Sequence, residues 1–230
     1  MISHPICFYY GAGRLDELSR YRRVVLQPDF YSADELRVLT GRQVEPLGYL
    51  ALSEDHGPPA PWQRTAHNAD WGGAFVQVGH PEWIRHVIRQ VHATLNKGFT
   101  GLFLDTLNIE FTYPADLPDL LALIAAIREE AKTAYLLANR GFALLPQLAT
   151  FVDGILFESF SVRWVDDGYA LWPPDALEVH AQMAERLLKS DLDLYALDYA
   201  DTRRLADFAR RRAQQFGLLS FVSDRALSRV

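Results

Sequence analysis

The stretch GLFLDTL, residues 101–107, would read as a buried strand but for one carboxylate, Asp105, four positions after its glycine. The chain repeats the arrangement as GILFESF, residues 154–160, where Gly154 leads and Glu158 takes the place of Asp105. Continuously apolar runs of this kind belong to strands covered on both faces, as in parallel sheets. Six further runs fit: ICFYYG (6–11), VVLQPD (24–29), EPLGYLAL (45–52), AYLLANR (134–140), LYALDYA (194–200) and LLSFVSD (218–224). Between them lie amphipathic stretches such as PEWIRHVIRQVHATLNKG, DLPDLLALIAAIREEA, PDALEVHAQMAERLLKS and TRRLADFARRRAQQFG, with apolar residues at helical spacing.

Gly98 and Gly217 close two of these helices, and Asp116 and Asp175 stand near the starts of others. Strand and helix alternating with right-handed crossovers predict an α/β fold, a single (β/α)8 TIM barrel over residues 1–230. Its last helix is expected to be short or missing, because only Arg225 and ALSRV follow the eighth strand. An open doubly wound sheet is the alternative fold, but GAGRLD after the first strand lacks the third glycine of a dinucleotide turn. AFVQV, residues 74–78, is a candidate extra strand outside the eight.

With 230 residues, 49% of them hydrophobic, the chain can bury one large core. Its one cysteine, Cys7, excludes a disulfide framework and a thiolate metal cluster. The net charge of −6 argues against a nucleic-acid partner, and the arginines of RRLADFARRR read as a solvated helix face. No apolar run is long enough for a bilayer, so no membrane partner is expected. The N-terminal sequence lacks a signal-peptide pattern, which points to the cytoplasm.

In a TIM barrel the active site forms at the C-terminal ends of the strands. The polar residues of these strands are loaded toward that end: Asp29, Glu54, Asp105, Asn139 with Arg140, Glu158, Asp198, and Ser223 with Asp224. Asp105 and Glu158 share one offset on strands separated by a single strand, which places both in one inward layer. Two strand spacings are about 10 Å, and inward side chains shorten that to glycosidase range. Two such acids among Leu, Phe and Ile resist ionising together, so one holds its proton above the usual range. The structural alternative is that each caps a backbone amide or pairs with Arg140, and that several rim acids only cap helices.

Two connections exceed the usual length: residues 53–73 carry Trp62 and Trp71, and residues 161–174 carry Trp164, Tyr169 and Trp172. Rings there can stack on sugars or pack their own loops. Tyr9, Tyr10, Tyr49 and Tyr199 lie on strands, where they can donate to a substrate or fill the barrel. The seven histidines offer no metal-binding spacing, His86 and His92 read as exposed helix residues, and no G-x-S-x-G elbow or phosphate turn is present. Neither metal nor cofactor is expected.

GFTGLFLDTL, ANRGFALL, VDGILFES and LYALDYAD, with FYYG near the start and LGYLALSE in the third strand, resemble in order and wording the endo-α-1,4-polygalactosaminidase family, glycoside hydrolase family 114, and its bacterial relatives. The resemblance covers nearly the whole chain. It implies a TIM-barrel hydrolase of α-1,4-linked galactosamine polymers, with Asp105 as nucleophile and Glu158 as acid/base in a retaining reaction. It also implies export from the cell. The expected partner is thus a polysaccharide or oligosaccharide, a cationic amino sugar, to which the acidic rim is complementary. The other functional reading is a non-catalytic barrel that holds such chains. The substrate-binding set expected from the rim comprises Tyr9, Tyr10, Asp29, Tyr49, Glu54, Trp71, Asn139, Arg140, Trp164, Asp198, Tyr199 and Asp224.

Overall fold

A computed structural model of the chain describes residues 2–166 and 168–230. Eight parallel strands form one sheet in sequential order: β1 (His4–Tyr9), β2 (Tyr21–Leu26), β3 (Glu45–Ala51), β4 (Gly101–Asp105), β5 (Tyr135–Asn139), β6 (Gly154–Glu158), β7 (Asp193–Tyr199) and β8 (Leu219–Ser223). All eight expected runs are strands, with boundaries moved by up to three residues. β1 and β8 lie side by side without a hydrogen-bond ladder, so the TIM barrel is nearly closed. Phe8 packs on Phe221 at 5.9 Å across this seam, and Tyr10 N donates to Leu227 O at 2.9 Å.

The outer layer is less regular than strict alternation predicts. One helical turn, α1 (Leu15–Leu18), follows β1. Then come α2 (Ala33–Gly41), α3 (Pro81–Lys97), α4 (Leu117–Ala131), α5 (Pro174–Leu187) and α6 (Arg203–Gln215). No α-helix links β5 to β6 among the described residues; two 3-10 turns, Phe142–Leu144 and Gln147–Thr150, make the connection. RGFALLPQLAT carries glycine and proline where a helix would need its middle. No helix follows β8 among the described residues.

Helix ends follow local chemistry. Ser32 and Glu35 form a reciprocal capping box on α2, and Gly98, at φ 120°, closes α3 in the left-handed region. Asp116 precedes α4 without capping it and pairs with Arg64 at 2.7 Å. Trp83 of α3 donates to Leu52 O at 2.9 Å, which fixes α3 against the end of β3.

Side chains alternate strictly on β4 to β7. Phe103, Leu137, Leu156 and Leu197 fill the barrel, whereas Leu102, Leu104, Leu136, Ala138, Ile155 and Phe157 pack against the helices. The two motif glycines make room for β5 between them. A Cβ on Gly101 would sit 2.2 Å from Tyr135 O, and one on Gly154 would sit 2.6 Å from the Tyr135 hydroxyl. Below them Arg23 plugs the barrel floor, 2.8 Å from Asp193 and 2.7 Å from Glu45, with Tyr135 under its guanidinium at 3.8 Å.

Candidate active site

Asp105, Asn139 and Glu158 are each the last residue of β4, β5 and β6. The residue after each is left-handed: Thr106 at φ 63°, Arg140 at φ 60° and Ser159 at φ 53°. Three adjacent strands therefore turn away at one level, and their final side chains remain directed into the barrel mouth. A left-handed β-branched threonine is costly and persists only when its surroundings fix it. Here Thr106 Oγ1 accepts from the amides of Leu52 and Ser53 at 3.0 and 2.9 Å, and Ser53 Oγ donates to Thr106 O at 2.6 Å.

Asn139 joins the two acids. Its Nδ2 donates to Asp105 Oδ1 at 2.8 Å and to Glu158 Oε2 at 2.7 Å. Those oxygens are therefore no farther apart than two hydrogen bonds laid end to end, about 5.5 Å, short of the roughly 6.5–9.5 Å that inverting glycosidases leave for an intervening water. Both amide protons are used, and the buried Asn139 Oδ1 has no partner among the described residues. Tyr199 of β7 donates to Glu158 Oε1 at 2.5 Å.

Burial raises the Glu158 pKa above the usual carboxylate range, and the neighbouring Asp105 raises it further. Hydrogen bonds from Asn139 and Tyr199, and the charge of Arg140, oppose the rise without cancelling it. Glu158 is thus suited to carry a proton. Burial and the nearby acids also push the Tyr10 and Tyr49 phenols up, so both remain neutral donors.

The acids stand in a cavity of about 710 Å³, walled on one side by a flap formed by residues 54–76. In the flap, Glu54–Asp55, Ala74–Val76 and Gln63–His67 form a three-stranded antiparallel sheet, so the candidate extra strand in 74–78 is real. Trp62 packs beneath it on Trp83 and His86, and donates to Asp55 at 2.7 Å. That contact also makes His86 a half-buried residue, whereas His92 is exposed and meets Glu130 at 2.8 Å. Opposite, Val162–Val165 and Gly168–Leu171 form a hairpin.

Of the residues expected at the site, Tyr10, Tyr49, Glu54, Trp71, Asn139 and Tyr199 join Asp105 and Glu158 in the cavity. Six others do not line it. Tyr9 is one position out of phase with Phe8 and Tyr10, and its hydroxyl donates to Ala12 O at 3.2 Å. Asp29 is exposed on the turn Pro28–Phe30, and Gln27 of the same loop lines the cavity instead. Arg140 turns back over the rings of Phe142 and Phe157 at 5.7 and 5.9 Å.

Asp198 falls on the outward parity of β7 and is 0% exposed. It accepts from Ser161 N and Val162 N at 2.6 and 2.8 Å, anchoring the hairpin, and burial pushes its pKa up to about 6 against those hydrogen bonds. Asp224 accepts from Ser228 N and Oγ at 2.9 and 2.6 Å and pairs with Arg229, so it organises the C-terminal turn. Trp164 lies on the hairpin at the rim, 5.0 Å from the Arg225 guanidinium. Of the other loop tryptophans, Trp172 donates to Ser159 O at 2.7 Å away from the cavity.

The sequence reading passes over Ser53, His56, Asn68, Thr106, Asn108 and Arg225, all of which line the cavity. Arg225 was accessible in principle, because it follows β8 directly at the catalytic rim. Asn68 gives a weaker signal, an Asx turn in which Asp70 N donates to Asn68 Oδ1 at 2.9 Å. Among the described residues no group of histidine, cysteine and carboxylate side chains could hold a metal. No described helix is long and apolar enough to cross a membrane.

No family model matches the chain. The uncharacterized protein MJ1477 of Methanocaldococcus jannaschii is 21% identical over 238 residues, covering 87% of this chain and 67% of that protein. Ega3 of Aspergillus fumigatus, solved in complex with galactosamine, shares the fold at a TM-score of 0.78 and 9% identity, over 98% of this chain and 92% of that one. The glycoside hydrolase domain of PelA from Pseudomonas aeruginosa superposes with a TM-score of 0.89 and 25% identity, over 98% of this chain and 96% of its own. A hydrolase domain matched end to end, and a paired-acid cavity at the barrel mouth, agree with the ordered motifs: the chain is a TIM-barrel glycoside hydrolase similar to the endo-α-1,4-polygalactosaminidase-like family.

Proposed function

We propose that the cavity hydrolyses α-1,4-linked galactosamine-type polysaccharide with retention of the anomeric configuration. The observation that carries this reading is the single Asn139 amide shared by Asp105 and Glu158. It ties the two acids at a spacing with room for a direct displacement, not for an intervening water. Glu158, the acid with the raised pKa, gives its proton to the leaving glycosidic oxygen as Asp105 forms a bond to the anomeric carbon. Water then attacks the glycosyl ester, Glu158 takes its proton back, and Asp105 leaves as the carboxylate. Support for the substrate comes from the motif resemblance and from the galactosamine held by Ega3.

The test is reducing-end release from partially deacetylated galactosaminan. Asp105→Asn and Glu158→Gln should each lower the rate by about 10³-fold or more. NMR of the first product should show the α anomer; a β anomer would remove Asp105 from the nucleophile role. Azide added to Asp105→Ala with an activated aryl α-glycoside should give the β-azide by direct attack. With Glu158→Ala it should give the α-azide through the ester, and the reverse pattern exchanges the two roles.

A further inference from the structure

The two-acid chemistry leaves one buried carboxylate of the cavity without a task. Glu54 opens the flap just beyond β3 and is 9% exposed. Its Oε1 accepts from Asn68 Nδ2 at 2.9 Å, and among the described residues its Oε2 accepts no hydrogen bond. No described lysine or arginine neutralises it: Arg225, the arginine that lines the cavity, pairs with Asp70 at 3.4 Å. Asn68 is itself fixed, because its amide donates to Gly73 O at 2.8 Å and its carbonyl accepts from Gly72 N at 2.8 Å. Glu54 is thus held in place through one oxygen and leaves the other to the cavity.

A carboxylate in this setting is electrostatically incomplete. It has lost most of its water, it has one neutral donor in exchange, and the nearby Asp105 adds repulsion. His56 offers partial relief when charged, but it is exposed on the flap. A ligand cation would supply what the chain does not, a charge-assisted hydrogen bond to the unused oxygen. We infer that Glu54 is the acceptor for a protonated amine of the bound sugar chain, and so the residue by which the cleft separates galactosamine from its N-acetylated form. This rests on the amino-sugar reading of the substrate. Acetylation replaces an ammonium with a neutral amide, which leaves the buried acid stranded, and selectivity against such a ligand is then large.

Binding of a galactosamine tetramer and of its fully N-acetylated counterpart is measured by calorimetry in the Glu158→Gln protein, where chains stay whole. The galactosamine chain should bind about tenfold or more tightly than the acetylated one. In Glu158→Gln/Glu54→Gln that preference should fall to near unity, and Glu54→Asp in the same background should keep part of it. Glutamine preserves the shape and the contact with Asn68, and a melting curve verifies the fold. A preference that survives Glu54→Gln overturns the assignment, as does its absence from the Glu158→Gln protein. Reducing-end release by the unmodified protein is scored separately. Preference without release overturns the hydrolytic substrate reading and supports the Glu54 site, whereas release without preference overturns the Glu54 site alone.

Discussion

At the scale of single residues, the site stores free energy that the fold would gain by giving it up. Glu158 has a folded pKa above its ordinary value of 4.5 because burial and Asp105 disfavour its charge. An acid raised in this way holds its proton more tightly folded than unfolded, so stability falls as pH rises from the unfolded pKa through the folded one, and the deficit persists above. Glu158→Gln should therefore raise the unfolding midpoint by a few degrees at pH 7 while abolishing hydrolysis, and the gain should vanish below about pH 4. Calorimetry of the two proteins across that range checks it; a glutamine variant less stable at pH 7 would show that the acid is compensated. Legibility at this scale follows side-chain parity. Asp105 and Glu158 were readable because both lie four residues past a glycine on inward phase. Tyr9 and Asp198 could have been set aside by the same alternation, since Tyr10 and Tyr199 are the inward members of their pairs. Asn139 stood out only as a polar strand end; nothing in the sequence announces that one amide bridges both acids.

At the scale of elements, the mouth is shaped by loops that reach one another through Arg225. Its guanidinium lies 4.7 Å from the Trp71 ring on the flap and 5.0 Å from the Trp164 ring on the hairpin. Its backbone amide donates to the Tyr169 hydroxyl at 3.0 Å. Trp71 is 57% exposed, so one face remains free for a sugar while the other is held. Cation–π contacts at such sites contribute about 0.5–2 kcal/mol each. Arg225→Ala should release both loops: hydrogen exchange in 60–73 and 162–171 should quicken, and KM for long oligomers should rise several-fold with kcat little changed. Because arginine acts here through Trp71, Arg225→Ala/Trp71→Ala should bind no worse than Trp71→Ala alone, and additive losses would refute the coupling. The strands were legible because buried parallel strands are nearly uninterrupted apolar runs. The missing helix between β5 and β6 was not, since the expectation of eight alternations outweighed the local glycine and proline of residues 140–150. The convergence of flap, hairpin and C-terminal loop joins residues about 60–160 positions apart, and no local pattern encodes it.

At the scale of the whole molecule, the barrel separates its two tasks by pole. The catalytic rim carries Glu54, Asp105 and Glu158 without an ion-pair partner among the described residues, together with left-handed residues and long loops, all of which cost stability. The opposite floor is closed by an ion pair that the chemistry never touches. Arg23 is 6% exposed at its side chain and meets Glu45, Asp193 and the hydroxyl of Tyr195, the last at 2.5 Å. It links β2 to β3 and β7 across the barrel, between the two motif glycines and the solvent below. Arg23→Ala should strand Asp193 among Tyr135 and Tyr195 and cost about 3 kcal/mol, the low end for breaking a buried pair, because both carboxylates are more than a third exposed. The midpoint of urea unfolding should fall accordingly, while kcat/KM on galactosamine oligomers stays within about twofold at a temperature where the protein remains folded, because conservation of geometry at the rim does not depend on the floor. The pair of variants then moves in opposite senses, Glu158→Gln toward a stabler inert barrel and Arg23→Ala toward a weaker active one. Loss of activity in folded Arg23→Ala would show that strain travels along β7 from Asp193 to Tyr199, and that the two poles are one mechanical unit.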